Sequence, residues 1–189
     1  MPGLFAAMLM LNSHKVRRES FREIGLSMWN FREALRLLAL PTLITCLAIM
    51  MIGFISNSFH QTSHFEANLV VLPVWAVIQQ YVLQAFIFRR MRWIFVEQSA
   101  SPEERIQQTR WAIMTTAAIF SLTHLPNLTL MVLTFLGALL WSWVYERAPN
   151  LFAIGLSHAI ISLMLMTSMP PWFLPSMSVG YKHFLYQKF

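Results

Sequence analysis

The chain has 189 residues, of which 57% are hydrophobic and only 12% charged, against about 25% charged in an ordinary soluble domain; its mean hydropathy is +0.53. The net charge of +6 comes with no aspartate at all, and the basic residues flank apolar stretches; this argues against nucleic acid as a partner and for a membrane topology set by loop charges. The single cysteine, Cys46, excludes an internal disulfide and any metal-binding cysteine spacing.

From the N-terminus, "MPGLFAAMLML" is apolar but short, with its basic residues after it. A secretory signal has them first. The stretch reads as an interfacial helix or as the end of another span. "SFREIGLSMWNFREALRLL" mixes Arg and Glu with Ile, Leu, Met and Trp, which predicts an amphipathic helix on the membrane surface.

Five stretches then approach the roughly 20 apolar residues needed to cross a bilayer: Leu37–Ser56, Leu69–Phe88, about Trp111–Leu128, about Thr129–Tyr145 and about Leu151–Met169. Ser101 followed by Pro102, Glu103 and Glu104 predicts a helix start between the second and third. A turn at Pro126 and Asn127 separates the third from the fourth. Asn127 also opens an "NLT" glycosylation pattern, but in a tight turn beside the membrane, where modification is not expected. The proline-rich tail does not read as a further span.

The predicted fold is therefore an all-α polytopic transmembrane helix bundle of about five spans plus an amphipathic N-terminal helix. Residues 1–36 form the N-terminal segment, 37–169 the transmembrane domain and 170–189 the tail. Lys and Arg crowd the segment before the first span and the 89–110 loop, and are absent between the first two spans. This predicts a cytoplasmic N-terminus in a bacterial inner or plasma membrane. The bilayer itself is the first expected partner.

Polar residues inside spans are costly and each is a candidate for function. The second span carries Gln79, Gln80 and Gln84; Gln80 and Gln84 share a helix face. His124 follows Phe120 by four residues, and Ser162 follows His158 by four. Taken alone, Gln79 and Gln80 read more readily as interhelical hydrogen-bonding groups than as a chemical site. His14, His60, His64 and His183, outside the spans, are expected to be solvated.

In order along the chain, "QQYVLQAFIFRRM", "FSLTH" and "YERAPNLFAIGLSHAIIS" resemble the three motifs of the CPBP family of membrane proteins, the CAAX-protease and bacteriocin-processing (Abi-type) group. The family's first motif is EExxxR; here it reads QQxxxQ, and Ser162 stands where the third motif usually has Asn. The resemblance runs from about Glu23 to Leu165. It implies an intramembrane endopeptidase acting on prenylated or membrane peptides. Gln79 and His124 would occupy the water-activating positions, His158 and Ser162 the oxyanion positions, and Gln80 and Gln84 those of the structural Glu–Arg pair. A glutamine amide orients water but cannot take its proton. Two readings follow: an endopeptidase with impaired activity, or a non-catalytic relative that binds a peptide or lipid in the former active-site cavity. No cofactor is implied. A metal held by His124 and His158 stays open, although Gln is a poor ligand and no third strong ligand is evident.

Overall fold

The alternation of apolar runs with polar breaks produces helices joined by short turns. The structure, a computed structural model, describes residues 2–60, 65–96, 99, 101–180 and 183, and among them there is no strand. The helices are α1 (Pro2–Val16), α2 (Phe31–Ile55), α3 (Phe65–Gln80), α4 (Arg89–Val96), α5 (Pro102–Leu122), α6 (Leu128–Arg147) and α7 (Leu151–Ser168). A π-helical stretch, Tyr81–Phe88, joins α3 to α4, so Phe65–Val96 is one unbroken helical run.

Four of the described helices are long and apolar enough to cross a membrane: Phe31–Ile55, Phe65–Val96, Leu128–Arg147 and Leu151–Ser168. The third predicted span belongs to α5, whose first half carries Glu103, Glu104, Arg105 and Arg110. Its apolar half ends at Leu122, so His124 lies in the turn just beyond the helix. The expected start at Ser101 holds: its hydroxyl accepts from the Glu104 amide at 3.1 Å.

The outer faces are apolar. Leu40, Leu43, Ile44 and Leu47 of α2, Val70, Val74 and Trp75 of α3, and Val132 and Leu136 of α6 are all exposed. Gln80, Gln84, Thr116, Ser142, Ser157 and His158 are buried. Apolar residues outside with polar ones inside is what hydrocarbon demands of a bundle, and the chain is an integral membrane protein. Small residues at helix contacts let backbones close. A Cβ on Gly155 of α7 would stand 2.5 Å from the Val77 side chain of α3.

The predicted amphipathic surface helix is divided. Its second part, from Phe31, forms the opening turns of α2; Ser20–Asn30 is a series of turns. The break has a cause. Gly25 adopts φ +76, a left-handed conformation that no helix continues through. Its carbonyl accepts from the Leu151 amide at 2.9 Å, and Asn150 donates to the Ser27 carbonyl at 2.6 Å while capping α7 through the Ala153 amide. The turn is a dock for the start of α7. A Cβ at Gly25 would meet Tyr145 at 3.1 Å and the Asn150 backbone at 3.2 Å. Gly25→Ala is expected to cost about 1–3 kcal/mol, through left-handed strain and lost docking, read as a lowered melting temperature in detergent micelles.

At that same end of the bundle, Glu19 gathers three partners. Arg90 bonds both carboxylate oxygens at 2.9 Å, Arg89 reaches it at 3.0 Å, and His14 Nδ1 donates to it. His14 is therefore buried rather than solvated, its ring against Tyr81 and Phe86. His183 is buried too, whereas His60 is exposed as expected and His64 lies outside the described residues. Arg92 pairs with Glu146, and Arg17, Arg22 and Arg147 lie over the rings of Trp93, Trp29 and Trp143. At the opposite end, the tail closes over the Pro126 turn. Gly180 donates to the Leu125 carbonyl at 2.7 Å, and buried Asn127 caps α6 and donates to the Ser176 carbonyl. An Asn held this way is not available for glycosylation.

Candidate active site

Gln80 is the last residue of α3, and Gln84 sits in the π-helical stretch that follows. A π-helical insertion widens the helix, and such insertions are frequent at functional sites. Both side chains are fully buried. Gln84 Nε2 donates to Gln80 Oε1 at 3.2 Å, and Gln80 Nε2 donates to His158 Nδ1 of α7 at 3.1 Å. The three groups form one polar chain across two helices. None of them carries a fixed charge. The shared face expected of Gln80 and Gln84 is thus a hydrogen-bonded pair, and the pair extends to a histidine.

His158 is enclosed by aromatic rings. Trp141 of α6 lies 4.4 Å away, tilted by 31°, and Phe120 of α5 meets it edge-on at 6.2 Å. Trp141 Nε1 donates to Ser157 Oγ at 3.3 Å, and Ser157 shares a 2.8 Å hydrogen bond with Thr42 of α2. This tie fixes the indole that faces His158.

His124 approaches the same neighbourhood from the turn after α5. Its ring meets the edge of Phe120 at 4.8 Å, so both histidines contact one phenyl ring. His124 Nδ1 contacts the Phe120 carbonyl at 2.8 Å and the Thr123 hydroxyl at 3.2 Å.

With the Gln80 amide oriented to donate toward α7, these contacts suit opposite tautomers of the two neutral rings. A carbonyl only accepts, so His124 Nδ1 carries its proton and Nε2 keeps a lone pair. An amide –NH2 only donates, so His158 Nδ1 is the acceptor and Nε2 carries the proton. One imidazole thus offers an acceptor at Nε2 and the other a donor. That combination can hold a water on one side of a carbonyl and hydrogen-bond the carbonyl oxygen on the other.

Gln79 and Ser162 are not drawn into this network. Both are half-buried and neither makes a hydrogen bond to the other four site residues among the described residues. Glu146 is at the far end of α6, paired with Arg92, and Glu66 is exposed at the start of α3. Among the described residues no group of three or more His, Cys, Asp or Glu stands close enough to hold a metal ion. Sequence reasoning missed Trp141, Ser157 and Thr42. Trp141 lies toward the C-terminal end of α6, where a tryptophan reads as an interfacial anchor rather than as part of a site.

A family model described as Type II CAAX prenyl endopeptidase Rce1-like matches residues 66–164, just over half of the chain. The chain belongs to this family. No curated protein and no solved structure matches it. The Rce1-like match covers α3 through most of α7, and Gln79, Gln80, Gln84, His124, His158 and Ser162 all fall inside it. Glu19 and His14 fall outside it, whereas their partners Arg89 and Arg90 fall inside.

Proposed function

We propose that this Rce1-like protein binds a membrane peptide, prenylated or otherwise lipid-anchored, in the family's intramembrane site and hydrolyses it weakly or not at all. The N-terminal turn and the 89–110 loop face the cytoplasm in this reading, in line with their arginines. No cofactor or metal takes part.

The observation that carries the reading is the uncharged chain Gln84–Gln80–His158 beside His124. The two histidine tautomers suit a water contact at His124 and a carbonyl-oxygen contact at His158. The missing part is a carboxylate. Peptide hydrolysis needs a group that takes a proton from water, and the amide of Gln79 cannot. A change of one glutamine alone to a charged residue in a buried pair costs several kcal/mol, so Gln80 and Gln84 together are a consistent neutral pair. What remains is a site built to hold a carbonyl without attacking it.

The test is cleavage of prenylated CAAX-type and unmodified membrane peptides by purified protein, comparing the wild type, Gln79→Glu and His124→Ala. General-base catalysis contributes about 100- to 10,000-fold. Gln79→Glu is expected to raise cleavage toward that range above a wild type near background. Wild-type turnover that vanishes in His124→Ala would replace this reading with a working endopeptidase whose base is His124.

A further inference from the structure

A cavity of about 610 Å³ lies between the end of α1, the turn at residues 19–26 and the face of α3. Its size falls within the range of small-molecule sites, about 300–1,000 Å³. Its wall is mostly apolar, with Leu11, Phe21, Ile24, Val77 and Ile78. None of the six residues of the candidate active site lines it.

Four polar residues break the apolar wall, His14, Glu19, Ser20 and Tyr81, and the rings of His14 and Tyr81 stand 5.7 Å apart. His14 Nε2 and the Tyr81 hydroxyl are both buried, and neither has a hydrogen-bond partner. A buried polar atom without a partner costs about 1–3 kcal/mol, so two in one cavity point to a ligand that supplies the bonds. Their chemistry states what that ligand offers. Glu19 is already matched by two guanidinium groups and still accepts from His14 Nδ1. A neutral imidazole that donates at Nδ1 accepts at Nε2. Tyr81 donates through its hydroxyl. A ligand hydroxyl satisfies both at once, donating to His14 and accepting from Tyr81.

We propose that this cavity binds an uncharged single-chain lipid with a hydroxyl head, such as a long-chain alcohol or a monoacylglycerol. The head sits between His14 and Tyr81 and the chain lies along Val77 and Ile78. Ile78 is half exposed and continues the lipid-facing surface of Val74 and Trp75, so the ligand enters sideways from the bilayer. A carboxylate head fits less well, because it carries no proton to donate to His14 Nε2. The proposal stands independently of peptide binding at the glutamine–histidine site.

The test measures radiolabelled oleyl alcohol binding to the full-length protein in phosphatidylcholine nanodiscs. Competitors are oleyl methyl ether, which lacks the donor, and oleate, which is charged. Saturable binding of one alcohol per chain is expected. Tyr81→Phe, which removes one hydroxyl and keeps the ring, should weaken it about two- to tenfold, the value of one hydrogen bond. Ile78→Trp should weaken it by filling the cavity, and both competitors should compete less well than the unlabelled alcohol. Non-saturable uptake, equal affinity in Tyr81→Phe, or equal competition by the ether or by oleate would each overturn the proposal.

Discussion

Glu19→Ala is expected to produce the largest stability loss of any single substitution outside the helices, about 3–5 kcal/mol, because it strands buried charge. Arg90 loses a two-pronged carboxylate contact, Arg89 a 3.0 Å partner and His14 its acceptor. The Glu19 side chain is only 9% exposed, and that of Arg90 only 14%, so water replaces little of what is lost. The two guanidinium groups would then face each other without a counter-charge. Detergent-solubilised wild type and variant should differ in unfolding free energy accordingly, and a change below about 1 kcal/mol would place the cluster among ordinary surface ion pairs.

The same cluster sets an acid limit. Burial by itself raises the Glu19 carboxyl, but hydrogen bonds from Arg90 and His14 and the charge of Arg89 overcome it and hold the group at about 2, below the usual 4.5. A carboxylate whose folded value is depressed stabilises the fold at pH above its unfolded value. The stabilisation is lost as pH falls from about 4.5 toward 2, and its full size is about 3 kcal/mol. The wild type should lose stability across that window, and Glu19→Ala should lose less over the same range.

Gln80→Leu is the second large effect. It removes the central member of the chain and leaves the Gln84 amide and His158 Nδ1 buried and unpaired. Each stranded group costs about 1–3 kcal/mol. Replacing both glutamines by leucine strands only the histidine, so Gln80→Leu/Gln84→Leu should be less destabilised than the sum of the single variants. Such non-additivity marks residues of one network. Strict additivity would mean that the two glutamines pack independently.

Much of the bundle is written in local pattern. The fourth and fifth spans are expected at about Thr129–Tyr145 and Leu151–Met169, and occur as Leu128–Arg147 and Leu151–Ser168. They are legible because continuous apolar runs begin just after Asn127 and Asn150, whose side chains cap the helix starts. Spacing four residues apart likewise anticipates the Gln80–Gln84 bond. The turn at Gly25 is not legible locally. Its partners, Asn150 and Leu151, arrive from more than a hundred residues away and override an amphipathic pattern that by itself favours a helix. His14 reads as solvated for the same reason, since the Arg89 and Arg90 that bury its partner Glu19 come from the end of another span. His124 follows the apolar half of α5 so closely that its place beyond the helix end shows only in three dimensions. The chain Gln84–Gln80–His158 joins the QQxxxQ stretch to the third motif, but in an arrangement that spacing alone does not give. Gln80, rather than Gln79, meets a histidine.

The charge-free site rests on the two histidine tautomers, and nitrogen NMR of protein labelled with 15N-histidine reads them directly. His158 should be protonated at Nε2 with Nδ1 bare, and His124 protonated at Nδ1 with Nε2 bare, with the His158 signal alone shifting strongly in Gln80→Leu. Finding His158 protonated at Nδ1, or finding both rings in the same tautomer, would contradict this assignment.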